Sequence, residues 1–240
     1  MMDTMTMQSS KFPTDAEVVI VGVGGIVGSM LAYWLTELGQ KNIVGLEKST
    51  VIPSDIGSTA HASDFVYSTT HDKLSNWTTA FSRNFYEDNG FFLKKGGLEI
   101  CRKDDDACWE ELKRKVASGK AFGTNVSLIS ASEAKEKFPL LEEESLRGAM
   151  WDPDAGLVVP RSQDVVSFAV ESAKEKGALT TYTDTPAVGF EIENGRLTGV
   201  KTDKGTIKTD KVVIASGIWG PLIGEMAGVP VPLSPLEHPL

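Results

Sequence analysis

Near the start of the chain, a continuous apolar run is followed by a stretch in which apolar residues recur at helical spacing. Val18 to Val21 is a continuous β-branched run, which is typical of a strand buried on both faces of a parallel sheet. Apolar residues then recur at helical spacing from Ile26 to Leu38, and Gly39 stands where such a helix would end. A second strand is predicted from Ile43 to Leu46. The pattern therefore predicts a β-α-β unit of about 30 residues.

The middle of the chain, residues 91 to 158, has a different character. A strand is predicted from Gly97 to Arg102 and a charged helix from Asp104 to Ala117. Ser132 resembles the start of a further helix, and residues 154–156 predict a tight turn. This stretch is interpreted as part of a second sheet.

In the last third of the chain, the spacing of apolar residues again predicts regular helices and strands. A helix is predicted from Arg161 to Gly177. Five strands are then predicted, at residues 179–182, 187–193, 197–202, 206–208 and 211–215, with hairpin turns at Asn194-Gly195 and Lys204-Gly205. The chain as a whole is assigned to the α/β class.

Composition narrows the classes of function. The chain has 240 residues, of which 41% are hydrophobic, so it can form a sizeable core. Its net charge of −9 argues against a surface that binds nucleic acid. No apolar stretch approaches the roughly 20 residues of a membrane span, and the N-terminal run has neither a basic nor an apolar targeting segment. We therefore expect a cytoplasmic protein acting on small molecules. Cys101 and Cys108 do not form a metal or disulfide framework and are interpreted as buried small hydrophobes.

A glycine-rich turn joins the first predicted strand to the first helix. It contains Gly22, Gly24, Gly25 and Gly28, which would let the backbone approach a pyrophosphate at the helix N-terminus. The spacing is one residue longer than the usual six, so a strand-helix turn without a ligand is the alternative. Glu47 ends the second strand 19 positions after Gly28, close to the position of an acid that binds a ribose hydroxyl. Together these features predict a dinucleotide site, for NAD or FAD.

Further segments carry a family resemblance. They are G-S-T-A-H-A at 57–62, G-G-L-E at 96–99, F-P-L-L at 138–141, G-R-L-T-G-V at 195–200 and A-S-G-I-W at 215–219. In this order, from Glu17 to His238, the sequence resembles the dimethylglycine oxidase, dimethylglycine dehydrogenase and sarcosine dehydrogenase flavoproteins, which are related to D-amino-acid oxidase. The resemblance implies FAD, bound on a parallel sheet of the glutathione-reductase type, with a partial substrate-domain sheet.

The same resemblance implies that His61 is joined covalently to the flavin 8α-methyl carbon. The alternative is a histidine that is hydrogen-bonded in a loop beside non-covalent FAD. Asp64 stands where the family usually has glycine, and a carboxylate there would affect either the turn or the electron affinity of the flavin.

Other contacts follow from the resemblance position by position. The implied cofactor-binding residues are Gly22, Gly24, Gly25, Ile26, Val27, Gly28, Glu47, Lys48, Ser58, Thr59, Ala60, Ala187, Gly217 and Trp219. His238 is implied to face the substrate as the catalytic residue, with a frayed terminus as the alternative. His71 is interpreted as a solvated loop residue. The acidic clusters at 104–106, 110–111 and 142–144 are interpreted as solvated faces without a metal.

The resemblance also implies a domain division. Residues 1–15 are expected to form a disordered leader, residues 16–90 and 159–228 the FAD-binding domain, and residues 91–158 and 229–240 a partial substrate domain that lacks the C-terminal half of the family fold. The isolated chain is accordingly expected to be a poor catalyst and marginally stable.

The implied reaction is oxidation of the carbon–nitrogen bond of dimethylglycine or sarcosine. Three alternatives stay open: a truncated FAD-binding module without turnover, one chain of a split enzyme with a second polypeptide or self-association completing the fold, or a complete small oxidase. A nucleotide-binding module without enzymatic activity is the alternative from another class.

Overall fold

The computed structural model describes residues 12–236. In chain order its strands are β1 (Val18–Val21), β2 (Ile43–Leu46), β3 (Phe65–Val66), β4 (Phe92–Lys94), β5 (Gly97–Arg102), β6 (Ser127–Ser130), β7 (Leu146–Asp152), β8 (Gly156–Val158), β9 (Leu179–Tyr182), β10 (Ala187–Glu193), β11 (Arg196–Thr202), β12 (Gly205–Lys208) and β13 (Val212–Ile214). Its α-helices are α1 (Ile26–Glu37), α2 (Lys73–Asp88), α3 (Asp106–Ala121), α4 (Ala131–Lys137), α5 (Ser162–Glu175) and α6 (Gly220–Met226). Short 3-10 helices lie at Ser58–His61, Glu143–Ser145 and Gly217–Trp219. The helices among residues 12–236 are too short or too polar to cross a membrane.

The described residues form two compact units. The first contains residues up to Ala62 and those from Ser162 onward, and the second contains Ser63–Arg161. The expected domain division placed residues 63–90 with the FAD-binding segments, whereas the structure groups them with residues 91–161.

A four-stranded parallel sheet forms the centre of the first unit. The strand order is β13-β1-β2-β9, with Val21 paired to both Leu46 and Ile214. Because successive side chains of a strand point to opposite faces, β1 contributes to two separate cores. The helices α1 and α5 cover one face, where Ile20 packs near Val166. This arrangement confirms the predicted α/β class with a parallel sheet.

The opposite face of that sheet packs against an antiparallel meander, β10-β11-β12. Val200 and Ile207 of the meander are fully buried against the sheet. The predicted hairpin turn lies between β10 and β11, where Asn194 and Gly195 have φ of 52° and 74°. Two successive positive φ values are what a type I′ turn requires.

The second unit contains two three-stranded antiparallel sheets, ordered β3-β8-β4 and β5-β7-β6. Helix α3 packs on the second sheet, where Leu112 meets Cys101 and Met150 in a buried cluster. Cys101 is buried as predicted, but Cys108 is only partly buried because it lies on the first turn of α3.

Three local expectations are corrected by the structure. Helix α4 begins after Ser130, two residues before the predicted start, because Ser130 and Glu133 form a reciprocal capping box. Helix α2 was not predicted at all. Residues 12–15 belong to the first unit: Phe12 packs edge-to-face on Tyr182, with ring centroids 5.1 Å apart, and the backbone of Lys208 donates to the Thr14 carbonyl. The rest of the expected leader, residues 1–11, lies outside the described residues.

Candidate active site

Three adjacent parallel strands end at the same edge of the first unit's sheet. Gly22 follows β1, Glu47 follows β2 and Ala215 follows β13. The backbone amide of Gly22 donates to the Leu46 carbonyl at 2.8 Å, and the amide of Ala215 donates to the Val21 carbonyl at 2.8 Å. The carboxyl ends of strands in an open α/β sheet are where ligands bind. This edge is therefore the candidate site.

The glycine turn tolerates its extra residue because Gly22 and Gly28 pack directly on each other. A Cβ on Gly28 would lie 2.2 Å from the Gly22 carbonyl oxygen, so a side chain there would separate helix α1 from β1. Gly22 itself has a φ of 95°, and a Cβ on it would lie 2.7 Å from the Ala215 carbonyl oxygen. The turn thus needs glycine at both ends for shape alone.

Gly25 differs from these two residues. It is the N-cap of α1, with no side-chain cap bond, and a Cβ on it would meet only Thr59 Oγ1, at 3.6 Å. Packing therefore does not require glycine at this position, and the bare backbone leaves room beside the helix N-terminus. The Ile26 amide donates to Thr59 Oγ1 at 3.0 Å. The Thr59 hydroxyl keeps its own proton to donate elsewhere, as to a phosphate.

Glu47 is nearly buried and is fixed by two backbone amides. Gly24 donates to its Oε2 and Ser49 donates to its Oε1, both at 2.9 Å. A carboxylate has about four lone-pair positions, so these two bonds leave capacity to accept a hydroxyl. Gly24 is needed here because a Cβ would lie 2.6 Å from Oε2. The amide of Thr185 donates to the Glu47 carbonyl at 2.9 Å, which brings the segment before β10 to the same edge.

A cation–π pair spans this edge of the sheet. Lys48 Nζ lies 3.6 Å from the centroid of the Trp219 ring. Lys48 follows β2 and Trp219 follows β13, and these two strands flank β1 on opposite sides. The pair therefore lies across the carboxyl end of β1.

A cavity of about 580 Å³ occupies the edge, and all of its lining residues belong to the first unit. The sequence-predicted residues that line it are Gly22, Gly25, Ile26, Val27, Glu47, Lys48, Ser58, Thr59, Ala187, Gly217 and Trp219. Lining residues that the sequence reasoning missed include Ser54, Thr185, Pro186, Ser216, Leu222 and Met226. The motif A-S-G-I-W contained the signal for Ser216, whereas the others reach the cavity only through the fold.

Other predicted residues lie elsewhere. Gly24 and Gly28 support the turn from behind, and Ala60 and His61 do not line the cavity. His61 is the exposed last residue of the 3-10 helix that also carries Ser58 and Thr59. His238 lies outside the described residues.

His71 and the acidic clusters, which were interpreted as surface features without a site, lie in the second unit. His71 is partly exposed and pairs with Glu111, with Nε2 and Oε1 2.9 Å apart, so it is a surface residue with a partner. Among the residues that the structure describes, no cluster of three or more potential metal ligands is present.

The residues at the cavity fit a dinucleotide cofactor. Gly25 contributes no side chain at the amide end of α1, where the Ile26 amide is bonded to Thr59 Oγ1, and Glu47 keeps free acceptor capacity, as argued above. The Ser216 Oγ atom is buried and has no hydrogen-bond partner among residues 12–236. A buried hydroxyl without a partner is unfavourable by about 1–3 kcal/mol, so a ligand that supplied one would bind more tightly.

Comparison with known proteins defines the class to which this site belongs. A family model described as FAD dependent oxidoreductase matches residues 17–239. The chain belongs to this family, and its cofactor is FAD.

The chain is similar to several members at moderate identity. It is 29% identical to human mitochondrial sarcosine dehydrogenase over 96% of its own length and 26% of that protein. It is 30% identical to the mouse mitochondrial pyruvate dehydrogenase phosphatase regulatory subunit over 98% of its length and 27% of that protein. The crystal structure of L-proline dehydrogenase from P. horikoshii superimposes with a TM-score of 0.81 at 32% identity, covering 91% of this chain and 57% of that one. The chain thus spans about a quarter of the length of the sarcosine dehydrogenase and of the phosphatase regulatory subunit.

Proposed function

We propose that this chain is the FAD-binding part of an oxidoreductase that oxidises the carbon–nitrogen bond of an N-methylated amino acid. Sarcosine and dimethylglycine are the proposed substrates, on the basis of the sequence segments at 57–62 and 215–219 and of the likeness to sarcosine dehydrogenase. Bound FAD would supply the hydride acceptor for this oxidation, and the substrate would be left as an iminium for water or a folate acceptor to resolve.

The observation that carries the proposal is the convergence of three groups on one cavity. The N-terminus of α1, where Gly25 contributes no side chain and Thr59 bonds the first amide, would hold the pyrophosphate, since the remaining amides and the helix dipole favour anions there. Glu47 would accept a ribose hydroxyl, and the segment around Ala187 would face the adenine through its backbone. These roles belong to the chain's own residues and do not depend on the substrate.

His61 is proposed as the covalent attachment point of the flavin. Its support is the G-S-T-A-H-A segment together with its position at the end of the 3-10 helix whose Ser58 and Thr59 line the cavity. His238 is proposed to contact the substrate, on the basis of its P-L-E-H context alone. Residues from outside this stretch, in the same polypeptide or in a second one, are proposed to complete the substrate site.

The experiment that tests the proposal is anaerobic mixing of the purified full-length protein with sarcosine, dimethylglycine or proline while the flavin absorbance is followed. Bleaching by an N-methylated amino acid, and slower bleaching by proline, is the expected result. Acid precipitation then tests the attachment: flavin should stay with the polypeptide and should be released in His61→Ala. His71→Ala, which removes a histidine that pairs with Glu111 in the second unit, is the matched control and should retain flavin.

A second candidate function is a regulatory FAD-binding module without turnover. The likeness to a phosphatase regulatory subunit, at 30% identity against 29% for sarcosine dehydrogenase, favours it. In that case the same protein would bind FAD, but none of the three amines would bleach it.

A further inference from the structure

The cavity of the first unit has an apolar part of its lining as well as the polar groups described above. That part comes from the chain after β13 and includes Ile218, Leu222, Met226, Val231 and Leu233. None of these side chains can bind a phosphate or a ribose hydroxyl. They offer apolar surface to a flat, weakly polar portion of a ligand.

Helix α6 is held in place by packing on the sides that do not line the cavity. Ile223 is 9% exposed and belongs to the same buried cluster as Ala187. A Cβ on Gly224 would lie 2.5 Å from Val231 Cγ2, so the segment after the helix packs closely on it. Leu222 and Met226 are four positions apart and therefore share a helix face. They line the cavity and are 57% and 46% exposed, so their apolar surface is accessible to a ligand there.

Adenine is the part of FAD that suits this face. The pyrophosphate and the ribose are assigned to the N-terminus of α1 and to Glu47, as argued above. Helix α6 contacts β10, which begins at Ala187, where the backbone is proposed to face the adenine. A methionine thioether is polarizable and makes favourable contacts with aromatic rings. Met226 would therefore pack against the adenine ring.

Met226 is also the most exposed methionine among residues 12–236. Met30 on α1 is partly buried and does not line the cavity, and Met150 is 1% exposed in the core of the second unit. Hydrogen peroxide oxidises an accessible thioether to a sulfoxide: a sulfur–oxygen bond forms, the peroxide oxygen–oxygen bond breaks, and the second oxygen leaves as water. The sulfoxide is polar, and burying it against an aromatic ring is unfavourable.

We propose that Met226 is an oxidation-sensitive contact of the FAD site, at which hydrogen peroxide weakens cofactor binding by forming methionine sulfoxide. The inference rests on the proposed placement of FAD in this cavity, and it does not depend on which amine is oxidised. Two effects follow from one contact: bound adenine shields the thioether from peroxide, and the sulfoxide disfavours adenine.

The first measurement is the dissociation constant of FAD before and after treatment with hydrogen peroxide, by quenching of flavin fluorescence. The parent protein carries His61→Ala, so that the flavin is not held covalently. Its affinity should fall about two- to tenfold on oxidation, the size of a lost contact between a thioether and an aromatic ring.

Three variants of the parent assign the effect to one sulfur atom. Met226→Leu keeps an apolar side chain without a thioether, so it should bind FAD like the parent and should not respond to peroxide. Met226→Gln places a polar group at the same position, so its affinity should be lowered before any treatment. Met30→Leu is the matched control, and it should remain as sensitive to peroxide as the parent.

The second measurement is peptide mapping by mass spectrometry during peroxide treatment of the parent. Met226 should be oxidised more slowly with saturating FAD than in the cofactor-free protein, whereas Met30 should be oxidised at the same rate in both. Because the mapping uses the parent protein, it decides the question even where a variant fails to fold.

Equal oxidation of Met226 with and without FAD, or a loss of affinity that persists in Met226→Leu, would overturn the inference while leaving the proposed function intact. A protein that shows both expected effects, but whose flavin is bleached by none of the amines, would instead remove the proposed function and support the inference. A folded parent that takes up no FAD before treatment would overturn both.

Discussion

Lys48 Nζ lies 3.6 Å from the centroid of the Trp219 ring, so a side chain that follows β2 meets one that follows β13 across the end of β1. A cation–π contact at an exposed site contributes about 0.5–1 kcal/mol, which corresponds to a factor of about two to five in a dissociation constant. Both residues line the cavity, so the contact holds its two walls together.

Lys48→Met should therefore weaken FAD binding by about two- to fivefold, because it removes the cation and keeps a long side chain. The dissociation constant is measured by quenching of flavin fluorescence. Lys48→Arg should bind like wild type. The control is Lys137→Met, which removes the equivalent cation over Trp151 in the second unit and should not change the affinity. Equal losses in Lys48→Met and Lys137→Met would contradict the assignment.

Gly25→Ala tests whether the bare backbone at the N-terminus of α1 serves the cofactor. A Cβ at Gly25 meets only Thr59 Oγ1, at 3.6 Å, so the free energy of unfolding of the apoprotein should fall by no more than about 1 kcal/mol, the cost of a poorer N-cap. FAD affinity should fall at least about tenfold, since the methyl group would occupy the approach of a phosphate. Gly189→Ala, in β10 and away from the cavity lining, should leave affinity unchanged.

Ser216→Ala should stabilise the cofactor-free protein. The buried Ser216 hydroxyl has no partner among the described residues, so its removal should raise the free energy of unfolding by about 1 kcal/mol. The stabilisation gained on adding FAD should decrease, because the hydroxyl would find its partner on the cofactor. Ser29→Ala should instead lower the free energy of unfolding of the cofactor-free protein, because the Ser29 hydroxyl donates to the Ile26 carbonyl at 3.2 Å. Urea denaturation of both variants checks the pair.

Glu47→Gln should destabilise the fold and weaken FAD binding together. Both carboxylate oxygens of Glu47 accept backbone amides, and the NH₂ group of a glutamine would oppose one of these donors. Loss of one buried bond predicts a fall of about 1–3 kcal/mol in the free energy of unfolding. If urea denaturation gave an unchanged midpoint, the two amide bonds would not be important to the turn.

The two cysteines should differ in reactivity. Burial, followed by the neighbouring Cys108 thiol, raises the pKa of Cys101 to about 11. Only the thiolate is alkylated, so iodoacetamide at pH 8 should modify the partly exposed Cys108 and spare Cys101 until the protein is unfolded. Because the folded state favours the neutral Cys101 thiol, its stabilising effect is present below about pH 9 and is lost as the pH rises towards 11. Peptide mapping by mass spectrometry distinguishes the two sites.

Sequence patterns predicted the first unit better than the second. The β1-α1-β2 segment was predicted to within one residue because each element is buried and strongly periodic, and Gly39 marks the end of α1. Helix α2 was missed although its apolar residues Leu74, Trp77 and Phe81 recur at helical spacing in the sequence. A second overlooked signal is Asp72, which accepts from the Ser75 amide as an N-cap. The three apolar side chains are exposed in the structure.

The candidate site was predicted where contacts are local in sequence. The glycine turn, Glu47 and Trp219 come from motifs, and the structure brings them to one cavity. Thr185 and Met226 join them only because β9 lies beside β2 and α6 follows β13, which are relationships set by strand order. No local pattern carries that information.

The central claim is that the first unit binds FAD at the cavity beside Gly25 and Glu47. The most direct test is the absorption spectrum of the purified protein after incubation with FAD and removal of the unbound cofactor by gel filtration. The account predicts flavin absorption bands with about one FAD per chain, reduced by Gly25→Ala and retained by Gly189→Ala. A colourless protein that is correctly folded and takes up NAD in place of FAD would contradict it.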